Sequence, residues 1–289
     1  MRATAERRVK VAVVGATGQL GRAVVERLGP RAVWSGGRDG LDVRDAEAIR
    51  KMLREAAPDV VVNAAAYNDV DGSETRPDEA FAANAVGPAH LARACREAGA
   101  LVVHVSSDYV FDGAGQAPYD EDDPPRPLSV YGVSKLAGEQ LVSASGAAFL
   151  LVRTSGVLGA GGSRVKGGSF VERILERARA GEPLRVVNDQ VFAPTHAADL
   201  AAALVGLVER GARGLFHVTN SGSCTWHELA VACVELAGLR VPVQPISSDE
   251  LRRPARRPAY SVLSNARYGA LGLPPLRPWR DALRELVAV

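Results

Sequence analysis

The order of apolar runs along this chain predicts an α/β fold, a Rossmann-like doubly wound parallel sheet with a smaller, interwoven C-terminal lobe. Three observations carry the prediction. Short, nearly unbroken apolar runs alternate with helical patterns through the first 155 residues, a glycine-rich turn closes the first run, and polar groups (Gly15, Asn63, Ser107, Thr154) stand at the run ends. Runs that are apolar on both faces belong to parallel strands covered by helices on both sides. Such sheets bind ligands beyond the carboxyl ends of their strands.

Residues 9–14 form the first strand, and Gln19–Leu28 a helix with Leu20, Val24 and Leu28 on one face. A second strand spans 32–35. Asp45 is placed to cap a helix that turns Ile49, Met52, Leu53 and Ala56 inward, and Pro58 ends it. Residues 59–66 (DVVVNAAA) are the third strand, 77–98 a helix and Leu101–Ser107 the fourth strand. Residues 112–127, rich in glycine, proline and acids, read as irregular; a helix over 129–143 and a strand over 149–155 follow. Farther on, helices are expected near 169–180, 197–209 and 225–237, the last opened by a Thr225-x-x-Glu228 capping box, with strands at 184–188 and 215–219. Proline and arginine crowd residues 252–258. The implied division is a dinucleotide-binding unit of residues 1–155, joined by parts of about 184–220, and a smaller lobe of 156–183 and 221–289.

With 289 residues, 47% hydrophobic and 24% charged, the chain has the composition of a folded globular protein. Its net charge of +2 is spread without a basic block, so no nucleic-acid footprint is visible. The basic opening residues mimic a signal peptide, but the apolar stretch runs only over 11–14 before the glycine turn. No run approaches the ~18 residues that span a bilayer. Cys95, Cys224 and Cys233 are odd in number and lack metal-ligand spacing, which fits a reducing compartment. His90, His104, His196, His217 and His227 are scattered, so no metal site is expected, and His104 reads as structural. The acids of residues 120–123 read as a solvated loop edge, and Trp226 as a packing residue.

Gly15-Ala-Thr-Gly-Gln-Leu-Gly21 lies between a strand and a helix. Glycines there permit a tight turn and close approach of a pyrophosphate, and the helix start offers free N–H groups. At the tip of the second strand, Arg38 is placed to pair with the 2′-phosphate of NADPH, whereas the neighbouring Asp39 would serve NADH. Tyr131-Gly-Val-Ser-Lys135 puts a phenol and an ammonium on one helical face. A tyrosine can protonate a carbonyl under reduction, but its free pKa near 10 is too high for neutral pH. Lowering it by about three units takes about 4 kcal/mol. A charge at ~4 Å in an effective dielectric near 20 supplies about that much. The chain has only four lysines (Lys10, Lys51, Lys135, Lys166) among 35 basic residues, so a lysine marks a place where arginine does not serve. Ser106 or Ser107, ending the fourth strand, would bond the carbonyl oxygen beside the tyrosine.

These residues stand in GATGQLG, LDVRD, PDVVVNAAAYNDVDGSE, SSDYVFDG, YGVSKLAGE, VRTSGVLG, NDQVFAPT and RRPAYSVL. Together the strings resemble the extended short-chain dehydrogenase/reductases, and among them the dTDP-4-dehydrorhamnose reductase family. The resemblance implies NADPH-dependent reduction (NADH being possible) of the 4-keto group of a nucleotide-linked 6-deoxysugar, by a cytoplasmic homodimer whose smaller lobe binds the substrate. It assigns catalysis to Ser107, Tyr131 and Lys135, the last two also touching the cofactor. Gly15, Thr17, Gly18, Gln19, Leu20 and Gly21 would hold the pyrophosphate, Asp42 and Val43 lie against the adenine, and Ala64, Ala65 and Tyr67 run along the cofactor. Asn84 would support the active-site helix; Asp108 and Tyr109 would contact the sugar, and Arg257 the nucleotide phosphates. Two positions depart from the family pattern: Gly156 stands where a tryptophan lines the sugar, and Phe192 where a glycine is usual. The expectation is that the Phe192 ring refills the space of the missing indole. Other implied readings are a reductase or epimerase of another nucleotide sugar, and a non-catalytic nucleotide-binding subunit like the regulatory subunit of methionine adenosyltransferase.

Overall fold

A computed structural model describes residues 8–159 and 168–288. The basic opening, residues 160–167 with Lys166, and residue 289 lie outside the described residues. The chain runs β1 (Val11–Val14), α1 (Gln19–Leu28), β2 (Ala32–Gly36), α2 (Ala46–Ala56), β3 (Val60–Asn63) and α3 (Val70–Thr75). Next come α4 (Pro77–Phe81), a π-helical segment (Ala82–Val86), α5 (Gly87–Ala98), β4 (Leu101–Ser107) and a 3-10 turn (Asp108–Val110). After an irregular stretch follow α6 (Val130–Ser143), β5 (Phe149–Thr154), β6 (Val157–Leu158), α7 (Phe170–Arg179), β7 (Leu184–Val187), β8 (Val191–Phe192) and β9 (Thr195–His196). The rest is α8 (Ala197–Glu209), β10 (Gly214–His217), β11 (Cys224–Thr225), α9 (Trp226–Leu236), β12 (Val243–Ile246), α10 (Ser248–Leu251), α11 (Ala266–Ala270) and α12 (Trp279–Val287).

Six strands form one parallel sheet in the order β10–β5–β4–β3–β1–β2. Every residue of β1 and β3 is buried, as unbroken valine-rich runs require when helices cover both faces. One face packs Val11, Val13 and Val24 against Leu200 and Leu204; the other packs Ala12 and Val14 against Ile49, Leu91 and Cys95. A third apolar cluster, with Ile174, Leu184, Phe192, Leu229 and Leu283, forms the core of the smaller lobe. There β7 pairs with β12, whereas α8 and β10 join the large sheet.

The caps predicted at Asp45 and Thr225 are in place, and Ser129 adds a third. The Asp45 carboxylate accepts from Glu47 N and Ala48 N, Ser129 from Gly132 N, and Thr225 and Glu228 close a capping box. Several elements differ from expectation. The helix expected over 77–98 is interrupted by the π-helical segment, and the third strand stops at Asn63. Helix α3, the short strands β6, β8, β9 and β11, strand β12, and helices α10 to α12 arise where no element was expected. Asp69 caps α3 by accepting from Gly72 N. The acidic loop edge is not uniformly solvated: Glu121 is buried, accepts His217 N at 2.8 Å and faces Arg267.

Candidate active site

The sheet's switch point lies between the neighbours β1 and β3, and the glycine turn stands there at the end of β1. Gly15 sits at φ +83°, and Gly15 N and Ala16 N both donate to Gly36 O, tying the turn to the end of β2. A Cβ on Gly15 would stand 2.5 Å from Ala65 N, so the turn presses directly on the chain leaving β3. A Cβ on Gly21 would collide with Gly15 O, whereas one on Gly18 would find Gly15 O as its nearest neighbour at 3.4 Å. Gly18 therefore leaves room where a phosphate can approach. Helix α1 has no side-chain cap and no acid in its first turn, so its first amides are offered to an anion. This cradle fits a dinucleotide pyrophosphate. The Leu20 side chain is buried in the core, which leaves only its backbone to the cradle. The Gln19 side chain is engaged elsewhere, donating to Gly159 O at 3.0 Å.

Thr17 packs against Gly37, which brings the exposed Arg38 next to the turn. The Asp42 carboxylate is gripped by Arg44, whose Nε lies 2.9 Å from both oxygens, and this contact first of all holds its pKa below the usual range. Val43 is buried beneath Gly87. Ala65 N donates to Asn63 Oδ1. Tyr67 is clamped by Asn84, whose Oδ1 accepts Tyr67 N (2.8 Å) while its Nδ2 donates to Tyr67 O (2.9 Å) and Ser134 Oγ (3.0 Å). Because Ser134 Oγ donates to Tyr131 O, the π-helical segment is fastened to the turn of α6 that bears Tyr131.

At the end of β4, Ser107 lies beside the Tyr131 phenol, its Oγ donating to Asp108 Oδ1 at 3.0 Å and accepting Tyr109 N at 3.2 Å; Ser106 Oγ has no partner among the described residues. This separates two serines that the sequence leaves equivalent. The Tyr131 ring meets the edge of Tyr109 at 5.8 Å. Lys135 is 2% exposed and its Nζ donates to Val105 O at 2.7 Å. Burial pulls the lysine down to about 8, opposed by the Glu139 charge. The expected lowering of the tyrosine is not produced by the chain's own groups. Burial raises Tyr131 to about 12, the Asp108 charge adds to this, and only the neighbouring Ser107 hydroxyl opposes it. The ammonium's hydrogen bond goes to the Val105 carbonyl, and its charge is not among the causes of the Tyr131 shift.

Asp108 is 3% exposed and accepts three hydroxyls: Ser107 Oγ at 3.0 Å, Ser155 Oγ at 2.7 Å and Ser261 Oγ at 2.6 Å. Burial outweighs these bonds and pushes its carboxyl above the ordinary range. Arg257 is held in a fork by Asp71, with Nη1 3.0 Å from Oδ1 and Nη2 2.8 Å from Oδ2, and it also touches Tyr109. His104 is fully buried with Nδ1 3.0 Å from Asn63 Nδ2, and burial keeps it neutral, as a structural histidine should be.

Gly156 follows Ser155 at φ +49°, and a Cβ there would come within 2.6 Å of Phe192 Cδ2. The Phe192 ring does fill the space beside position 156. It is 4% exposed and stacked on Trp226 at 4.1 Å, so it belongs to the smaller lobe's core.

Sequence reasoning missed Asp71, Arg44, Ser155, Ser261 and Glu139. All five lie inside the quoted strings, but nothing local shows which distant group Asp71, Ser155, Ser261 or Glu139 meets. Among the described residues no group of three or more His, Cys, Asp or Glu is placed to hold a metal, and no helix is long and apolar enough to cross a membrane.

Comparison with known proteins adds four findings. The family model for the RmlD substrate binding domain matches residues 9–289. The dTDP-4-dehydrorhamnose reductase of Streptomyces griseus is 43% identical over 282 residues, covering 94% of this chain and 91% of that protein. A probable dTDP-4,6-dihydroxy-2-methyloxan-3-one 4-ketoreductase of Streptomyces antibioticus is also 43% identical, over 94% of this chain and 92% of that one. Among solved structures, the dTDP-4-dehydrorhamnose reductase of Bacillus anthracis in complex with NADP superposes with a TM-score of 0.92 at 33% identity, covering 96% of this chain and 98% of that chain.

Proposed function

Because this chain belongs to the RmlD substrate binding domain family, we propose that it reduces the 4-keto group of dTDP-4-dehydro-L-rhamnose to give dTDP-L-rhamnose. The protein is an oxidoreductase of the doubly wound α/β class. The observation that carries the reading is the meeting of Ser107 and Tyr131 at the carboxyl end of β4, with Lys135 one helical turn away and the glycine cradle on the same edge of the sheet.

When bound, NADPH supplies the hydride that reduces the carbonyl carbon. Tyr131 supplies the proton at the carbonyl oxygen, and Ser107 hydrogen-bonds that oxygen and fixes its position. Lys135 holds a positive charge behind the tyrosine and offers N–H groups to the nicotinamide ribose. Gly15, Thr17, Gly18, Gln19, Leu20 and Gly21 hold the pyrophosphate, and Arg38 the 2′-phosphate. Asp42, Val43, Ala64, Ala65 and Tyr67 line the rest of the cofactor. Asp108 and Tyr109 face the sugar, and Arg257, aimed by Asp71, faces the diphosphate. Residues 1–155 with part of 184–220 then hold the cofactor, and the smaller lobe the sugar nucleotide. The three cysteines are buried free thiols, which suits a cytosolic setting. A homodimer is part of the same reading, tested by light scattering.

The Gly156–Phe192 arrangement favours a second substrate within the same chemistry, another dTDP-linked ketosugar, as the Streptomyces antibioticus relative's name suggests. The deciding experiment offers purified protein dTDP-4-dehydro-L-rhamnose with NADPH or NADH and follows oxidation of the nicotinamide. The expected result is stoichiometric NADPH consumption. Turnover of a different ketosugar instead selects the second reading, and a cycle with no net NADPH use selects an epimerase. A stable complex with another enzyme and no turnover of any ketosugar selects the regulatory-subunit reading. Tyr131→Phe should lose about 10²- to 10⁴-fold in kcat with NADPH affinity retained.

A further inference from the structure

Tyr131, Lys135 and Glu139 follow one another at intervals of four on α6, so they stack along one helical face. Lys135 and Glu139 are both buried. Glu139 receives a fork from Arg153 on β5: Nε donates to Oε1 at 2.9 Å and Nη2 to Oε2 at 2.7 Å. Arg153 is itself braced, lying 5.2 Å over the Phe111 ring with Nη1 3.4 Å from His217 Nε2. His217 in turn donates its backbone N–H to Glu121. A buried ion pair is a poor source of net stability, because desolvation offsets its attraction. Its placement is what carries information: the carboxylate end lies one helical turn from Lys135.

The other charged and titratable groups around this face do not substitute for Glu139. From β4 comes His104, kept neutral by burial. From the 3-10 turn come Asp108, whose charge acts on Tyr131, and Tyr109, whose own pKa burial raises. The Glu74 carboxylate on α3 accepts Val130 N at the start of α6. The π-helical segment offers the uncharged amide of Asn84.

We propose that Glu139 is the positioning residue for Lys135, keeping its ammonium charged and anchored on Val105, and that Arg153 holds Glu139 to that task. The inference rests on the reading of Lys135 as part of the catalytic group, but its central claim concerns the lysine's proton and can be read without turnover. Lys135 already lies near 8 because burial works against its charge. Removing the Glu139 charge takes away the opposing influence, so the ammonium should lose its proton at lower pH.

The chain's four lysines make the measurement direct. Protein carrying [ε-¹³C]lysine is titrated by NMR, with the Lys135 resonance assigned by Lys135→Arg. Glu139→Gln should move the Lys135 midpoint down by about one pH unit or more, and Glu139→Asp should keep it near wild type. Glu139→Gln leaves Arg153 unpaired, so Glu139→Gln/Arg153→Met, which removes both charges, guards against a folding defect. On the ketosugar, the alkaline fall of kcat/KM should shift to lower pH by the same amount. Folded variants whose Lys135 midpoint stays at the wild-type value overturn the proposal. Inactivity of the wild type toward every ketosugar would instead count against the proposed function, leaving the NMR result to decide this point.

Discussion

Asp108 and Glu139 are both acids with almost no exposed surface, on either side of the Tyr131–Lys135 face, and the fold treats them in opposite ways. Asp108 is surrounded by three neutral hydroxyls from separate parts of the chain: Ser107 at the end of β4, Ser155 after β5, and Ser261 from the segment after the Arg-Pro stretch. Glu139 is met by one guanidinium fork. Hydroxyls lend hydrogen bonds but no charge, and Asp108 stays pushed above the ordinary carboxylate range. A guanidinium brings charge and a rigid planar geometry together. The site thus has one acid held among neutral hydroxyl donors and another locked by a guanidinium behind its lysine.

The largest test of this contrast is Arg153→Met. It strands a buried carboxylate and should lower unfolding free energy by about 3–5 kcal/mol in denaturant titrations. Next comes pH. The folded-state pKa of Asp108 is raised, so the folded chain binds its proton more tightly than the unfolded chain. Stability from this group is present at acid pH and is withdrawn as pH climbs from the unfolded value near 4 through the folded one. Asp108→Asn cannot ionise. The stability advantage of wild type over this variant should therefore shrink as pH rises, by at most about 1.4 kcal/mol per pH unit. An advantage that grows with pH would reverse the assignment. Ser261→Ala removes one donor of three and should cost about 1 kcal/mol. If it matched Arg153→Met, the contrast between hydroxyl and guanidinium would be broken. The smallest effect is expected at the solvent-facing Asp42–Arg44 pair, where Arg44→Ala should cost below about 1 kcal/mol in stability.

The residues that build the sheet announce themselves locally. The valines of β1 and β3 and the caps at Asp45, Ser129 and Thr225 are physical signals contained in a few adjacent residues. So is the 131/135 spacing that places a phenol and an ammonium on one face. The π-helical segment Ala82–Val86 was not legible, because over five residues its period is indistinguishable from that of an α-helix. The two-residue strands β6, β8, β9 and β11 are too short to show alternation. Charge partners were the least legible of all. Glu139 meets Arg153 fourteen positions away, and Asp71 meets Arg257 at a separation of 186, distances over which sequence pattern carries no pairing information. Glu121 was hidden for another reason: it stands in a run of acids that looks uniformly wet, yet its carboxylate fills the hydrogen-bonding need of a strand amide at His217.

The interlock of Gly156 with the Phe192 ring makes these two positions epistatic. Restoring an indole at 156 while the phenyl ring remains forces two bulky groups into one volume, and clearing 192 alone strips Trp226 of its stacking partner. A mutational scan changing one residue at a time would therefore score both sites as intolerant and miss any paired solution. Retuning of substrate choice at this wall belongs in combinatorial libraries that vary 156, 192 and 226 together, with the left-handed backbone at 156 setting how few residues can succeed there.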